Sequence, residues 1–185
     1  MIIKLKAINL KRCNGVVNQG HLALLTGILA LHIIGCKVNY SMSGASVDPS
    51  VKTIAVKYFN KTTPLGPTSL SQTFTEKLKD KFLSQTDLTL TTESADLTFE
   101  GAITEYTVTP QAIQANEIAA RNRLSISVNV KFTNLKNEKQ NFEQTFTRYS
   151  DFNSSDNLTS VEDGLIADIY QQLVDDIFNK AMINW

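Results

Sequence analysis

Apolar and polar residues change rhythm several times along this chain, and each rhythm predicts an element. In Val51–Phe59, Ile54, Val56 and Tyr58 alternate with polar or small neighbours, the period of a strand with one buried face. Thr62-Thr63-Pro64-Leu65-Gly66-Pro67 interrupts that pattern with turn-forming residues. Leu70, Phe74, Leu78 and Phe82 then recur at every fourth position, which predicts an amphipathic helix over 69–84. Glu76, Lys77, Lys79, Asp80 and Lys81 fall mostly on its water side, and Ser69 with Gln72 has capping-box spacing. The Thr-rich stretch Thr86–Glu93 reads as an edge strand. Leu97, Phe99 and Ile103 share one phase and Tyr106 and Val108 the other, so a β-bulge is expected at 103–106. Pro110 then ends the pairing or confines it to an edge, and Gln111–Ala120 is too mixed to assign.

The clearest strand carries Leu124, Ile126, Val128, Val130 and Phe132 on one face. Arg123, Ser125, Ser127, Asn129, Lys131 and Thr133 occupy the other. Asn134-Leu135-Lys136-Asn137-Glu138 supplies a hairpin turn, and Asn141–Phe152 pairs back. A last helix, capped by Thr159 with Glu162, buries Val161, Leu165, Ile169, Leu173 and Ile177. Ile166, Val174, Phe178 and Met182 widen that face. Strict alternation means a sheet with one face packed and one open to water. The expected fold class is α+β: two helices packed on one face of a four- to five-stranded mixed or antiparallel sheet.

Before all this lies a different kind of segment. Residues 22–34, LALLTGILALHII, form an apolar run of 13, shorter than the roughly 20 that a membrane-crossing helix needs. Lys4, Lys6, Lys11 and Arg12 precede it, with no acid among residues 1–35. A basic flank, a short apolar run and small residues at its exit have the form of a signal peptide. Ile33-Ile34-Gly35-Cys36 fits a lipobox: the slim Gly35 admits the backbone to the signal peptidase, and the Cys36 thiol accepts a diacylglycerol. The expectation is a signal peptide over 1–35 cut between Gly35 and Cys36, a lipidated tether over 36–50, and one periplasmic α+β domain over 51–185. Two other readings are a buried core helix, which leaves the acid-free flank unexplained, and a secretory signal with an incidental Cys. A two- or three-chain anchor is held firmly, since each buried CH₂ contributes about 0.8 kcal/mol. Lys37 follows the Cys, where some lineages use Asp for inner-membrane retention. That points by analogy to the periplasmic side of the outer membrane.

Composition narrows the function. The net charge of zero conceals a split: four of the 18 bases lie in residues 1–35, leaving 14 bases against 18 acids afterwards. A mildly acidic body lacks the basic stripe that nucleic acid requires. His21, His32 and Cys13 also lie before residue 36, so nothing after Cys36 is a His or Cys. That leaves the body without the commonest general base, zinc ligands, a thiol nucleophile or a disulfide. No phosphate loop, metal spacing or nucleophile elbow stands out, and no cofactor is called for. The pairs Asp175-Asp176 and Glu162-Asp163 read as a solvated helix face, because an acid/base role needs a pocket that separates their pKa values. No catalytic residue is expected, and the reading is that this is not an enzyme. Arg121, Arg123, Lys131, Lys136 and Lys139 gather around the hairpin, suited either to lipid phosphates or to simple strand solubility. The Ser/Thr/Asn-rich outer face is either hydrated or hydrogen-bonded inside the polar lumen of a barrel.

Several stretches together resemble the lipopolysaccharide-assembly lipoprotein (LptE) family. They are Gly35-Cys36, SLSQTFTEKLKDKFLSQT at 69–86, TEYTVTPQAIQANEIAARNRL at 104–124, VKFTN at 130–134, QNFEQTFTRYSDF at 140–152 and the closing VEDGLIADIYQQLVDDIFNKAMINW. The resemblance implies two helices on a small sheet and a protein that is not a catalyst. It implies a plug for the lumen of the outer-membrane barrel LptD, which helps that barrel assemble and assists lipopolysaccharide transport to the outer leaflet. Family members also bind lipopolysaccharide partly through basic residues. Arg123, Lys131 and Lys136 are candidates for that role by charge and position. The alternative is a periplasmic lipoprotein adaptor that regulates cell-wall synthesis or secretion, to which the opening strand KTIAVKYFN also lends itself. A tether of about a dozen residues reaches roughly 45 Å, which keeps the body near the outer membrane.

Overall fold

The computed structural model of the chain describes residues 48–111 and 120–182. The signal segment with Gly35, Cys36, most of the tether and residues 112–119 of the unassigned stretch lie outside the described residues. The elements in order are β1 (Thr53–Val56), β2 (Asn60–Lys61), α1 (Leu70–Gln85), β3 (Thr89–Leu90), β4 (Leu97–Gln111), β5 (Arg121–Asn134), a 3₁₀ turn (Glu138–Gln140), β6 (Phe142–Asn153) and α2 (Leu158–Met182). They build the expected α+β fold. The strands form one mixed sheet in the order β3-β1-β4-β5-β6, with β2 also pairing to β4. β1 runs parallel to β3 and β4, whereas β4, β5 and β6 make a long antiparallel meander. α1 is the crossover of the parallel part and packs on β1, β2 and β3; α2 packs on β5 and β6, and the helices touch each other.

The buried inward residues of β4 and β5 are apolar except Asn134 and drive this packing, whereas β6 also turns Gln144, Arg148 and Ser150 to that side. Leu97, Phe99 and Ile103 of β4 and Leu124, Ile126, Val128 and Val130 of β5 are fully buried against Phe74, Leu78 and Phe82 of α1 and Ile169, Leu173 and Ile177 of α2. A run of rings crosses the core, Phe178–Phe82–Phe99–Phe132–Phe142, with successive centroids 5.2, 4.6, 4.7 and 5.3 Å apart. Such pairs each add about 0.5–1.5 kcal/mol beyond area burial.

The phase slip in β4 is where the pattern put it. Ile103 pairs with Val128 and Glu105 with Ser127, so Thr104 is the extra residue and Tyr106 returns to the core. Pro110 stays within β4, opposite Asn122, in the stretch that β2 does not reach. The edge, rather than the end of pairing, is its place.

A second slip was not anticipated. Tyr58 does not join Ile54 and Val56 inside; it is 55% exposed, and Phe59 is fully buried instead. Val56 pairs with Phe99 but Asn60 with Ala102, so the first strand holds one residue more than its partner across 57–59 and the phase inverts. The sequence on β4 explains the swap. Gly101 has no Cβ, and one placed there would lie 2.7 Å from the Phe59 ring and 2.0 Å from the Asn129 carbonyl. The ring takes the space, and its orphaned backbone N–H donates to Thr75 Oγ1 of α1 at 3.1 Å.

Three local expectations change. Ser69 makes no side-chain cap bond, because its own backbone is already helical (φ −71°, ψ −14°) rather than in the extended form a cap needs; Gln72 bonds Glu76 instead. At α2 the Thr159 N–H goes to Asn157 Oδ1 at 3.0 Å, and Glu162 accepts the Tyr106 hydroxyl rather than closing a capping box. Only Thr89–Leu90 of the Thr86–Glu93 stretch is a strand, since Thr86 is spent on ending α1 through the Phe82 carbonyl.

Candidate interaction face

The helices cover one side of the sheet, and the outward residues of β4, β5 and β6 form the other. Register decides which side chains meet there. Thr107 faces Ser125, Ser125 faces Tyr149, Ser127 lies between Glu105 and Thr147, and Asn129 lies between Ala102 and Thr145. The middle of this face is therefore hydroxyl and amide. Ser127 Oγ lies 2.9 Å from Glu105 Oε2 and 2.8 Å from Thr147 Oγ1 and is nearly fully buried, so the short side chains close over one another.

The cations Arg123, Lys131 and Lys136 stand at the ends of the face and are matched there, while Glu105 in the middle accepts from the Ser127 hydroxyl. Arg123 grips Asp151 through two bonds, Nε–Oδ1 at 2.7 Å and Nη2–Oδ2 at 2.8 Å, and its guanidinium stacks 3.5 Å from the Tyr149 ring centroid. At the other end Glu100 accepts both Lys131, at 2.8 Å, and Lys57, at 2.6 Å. Lys131 first and Lys57 second draw its carboxyl down to about 2. Lys136 Nζ lies 3.1 Å from Asp96 Oδ1. The backbone N–H of Lys52, then the Lys136 ammonium, hold Asp96 far below the usual carboxylate range. Asp96 Oδ2 also takes the Thr53 N–H and hydroxyl, so this carboxylate fastens the start of β1 to the start of β4.

The three cations singled out from the sequence thus have partners. Arg123 binds Asp151, Lys131 binds Glu100, and Lys136 binds Asp96. Lys131 and Lys136 share one end of the meander. Arg123 sits eight residues up β5, about 27 Å away at strand rise. They do not converge on one phosphate. The acids Glu100, Asp96 and Asp151 were missed as site residues. Their signal was present, since closing the β5–β6 hairpin sets Arg123 opposite Asp151 directly.

The acid pairs of α2 are not a couple over a pocket. Asp175 Oδ1 lies 2.8 Å from Lys81 of α1, and Asp176 holds Arg148 of β6 through two bonds of 2.5 and 2.8 Å. They tie the last helix to its neighbours. Among the described residues no group of His, Cys, Asp and Glu is placed to hold a metal ion, and no helix is long and apolar enough to cross a membrane.

Comparison with known proteins places this arrangement. The chain is similar in structure to a minor lipoprotein from Acinetobacter baumannii, at 16% identity and TM-score 0.44, over 72% of this chain and 97% of that one. It is similar also to an uncharacterized lipoprotein B from Nitrosomonas europaea, at 15% identity and TM-score 0.45, over 78% and 88% of the two chains. A comparison with the curated proteins gives no match. The lipopolysaccharide-assembly family model, LptE, matches residues 51–181, from the strand before α1 to the end of α2. The chain therefore belongs to the LptE family of lipopolysaccharide-assembly proteins.

Proposed function

We propose that the protein is an outer-membrane lipoprotein, cut between Gly35 and Cys36 and held by fatty acids on Cys36. On the periplasmic side it plugs and helps assemble an LptD-like β-barrel and assists lipopolysaccharide transport to the outer leaflet. Family membership supports the pathway, and the open face supports the plug. A plug touches a polar wall from which bulk water is largely displaced, and an uncompensated charge there is costly. This face carries Arg123, Lys131 and Lys136 already paired and places hydroxyls and amides between them, with Glu105 held by the Ser127 hydroxyl, so docking strips none of these three cations of its partner. That neutralisation in place is the observation that carries the reading. The role asks for contact and no reaction, and the body has no His or Cys to run one.

For lipopolysaccharide we propose Lys131 and Lys136, with Arg123 as a separate contact. A lipid phosphate reaches them by displacing Glu100 or Asp96, which suits a transient contact better than a storage site. Two experiments test these points. After detergent extraction the chain should co-purify with a large barrel; recovery as a barrel-free monomer would contradict the plug. Replacing Lys131 and Lys136 by Glu should lower lipopolysaccharide crosslinking to the purified chain, and an unchanged yield would remove those two residues from the site.

A further inference from the structure

A strand at the rim of a sheet carries backbone N–H and C=O groups with no partner, and folds normally blunt such rims. The rims of this sheet are treated unequally. β3 is two residues long. The far part of β4, beyond β2, carries Pro110. β6 is the exception: 12 residues, no Pro, Gly or Lys, and paired to β5 from Phe142 to Asn153 without a register break.

Ladder phase shows which groups point outward. The Ser154 N–H donates to the Ala120 carbonyl at 3.0 Å, next to the pair Arg121 and Asn153. Alternation from there turns the backbone groups of Phe142, Gln144, Phe146, Arg148, Ser150 and Phe152 toward β5. Those of Glu143, Thr145, Thr147, Tyr149 and Asp151 point away from the sheet, and among the described residues no segment pairs with them. The same reasoning on β4, whose phase is set by Lys57 and Thr62 donating to Phe99 and Ile103, puts Pro110 at an outward position. Its missing N–H costs no ladder bond there.

Such a row repeats about every 6.8 Å, twice the rise per residue, and an extended polypeptide is what matches it. We infer that β6 is a docking edge, and that an extended, mostly uncharged segment of the barrel partner adds beside it as a further strand. This rests on the barrel-plugging reading and names the part of the chain that engages. Thr145, Thr147 and Tyr149 supply uncharged cross-strand neighbours for the added strand. A second copy fits poorly. A two-fold pairing centred on Thr147 sets Glu143 against Asp151, and one centred on Arg148 sets that guanidinium against itself. Every in-phase pairing also brings together two α2 helices, each with five carboxylates and one lysine.

The test is residue-resolved amide exchange on the full chain, alone and co-purified with its barrel. The inference expects the Thr145, Thr147 and Tyr149 amides to exchange fast in the free monomer and slowly in the complex. The Gln144, Phe146 and Arg148 amides should be slow in both. A barrel complex in which the outward amides stay fast overturns the inference and leaves the plug standing. Absence of any barrel complex removes the plug and this inference with it. Slow outward amides in the free monomer mean that the chain covers its own edge, and a dimer of the pure chain means that a second copy does; either result overturns it. As a second variant, Thr147→Pro removes one outward N–H and no backbone bond to β5; the hydroxyl contact with Ser127 that it also loses is removed alone by Thr147→Val, the control that should keep full barrel recovery. Thr147→Pro should leave the chain folded and cut barrel recovery about tenfold, the worth of one or two backbone hydrogen bonds; folded protein with full recovery counts against the edge.

Discussion

The two faces of β4, β5 and β6 use alternate residues of the same strands and are held by different physics. The inner face is closed mainly by area: rings and aliphatic side chains from the strands and two helices bury one another, with Arg148 of β6 tied to Asp176 at the rim. The outer face is closed by pairing: Arg123, Lys131 and Lys136 at its ends each have a carboxylate, and the middle is short hydroxyls and an amide around Glu105. One side makes the fold stable and the other presents a finished surface, so mutations on the two sides should differ in size and in kind.

The largest effect belongs to the inner face. Phe99 touches Phe82 and Phe132, and Phe99→Ala should cost about 3–5 kcal/mol in denaturant unfolding. A loss under about 1 kcal/mol would show that this core is not the one that holds the sheet. Next comes Gly101→Ala, which asks for space already filled by the Asn129 carbonyl and the Phe59 ring. About 1–3 kcal/mol is expected, with Phe59 turned outward in the variant's structure.

Asp96 is where the outer face contributes to the fold. Asp96→Ala leaves the Lys52 and Thr53 N–H groups without their acceptor and should cost about 1–3 kcal/mol. It also carries a pH signature. Asp96 and Glu100 titrate lower folded than unfolded, so their stabilisation is complete above the unfolded values near 4 and is lost as pH falls toward 2. Removing Asp96 should flatten the fall in stability across that window, measured by unfolding at pH 2–5. The smallest effect is expected for Lys131→Gln, which breaks an exposed ion pair on a carboxylate that keeps Lys57; within about 0.5 kcal/mol is predicted. A small stability change with a clear loss of lipopolysaccharide crosslinking is the pattern that separates the two faces.

The inner face was largely legible in the sequence, because burial imposes a period and the period survives in the residues. Even the Thr104 bulge showed, since Tyr106 and Val108 change phase after Ile103. What the period cannot carry is a partner brought from elsewhere. Phe59 replaces Tyr58 inside because Gly101, 42 residues on, leaves room for a ring, and no local pattern records that. Ser69 and Thr159 had capping spacing, but the turns before α1 and α2 set their backbones otherwise. The outer face was legible as composition and not as pairing. Arg123, Lys131 and Lys136 stood out as basic residues around a hairpin, while the acids that hold them lie 28, 31 and 40 residues away. Hairpin register was enough to find Asp151 and Glu100; Asp96 needed the start of β1 as well.

The most direct test of the account is a photoreactive residue placed in living cells at Ser125, in the middle of the open face, with Phe99 as the buried control. The account predicts a crosslink from Ser125 to a barrel-sized partner and none from Phe99. A chain that yields no such adduct from Ser125 and leaves the membrane alone in detergent would contradict it.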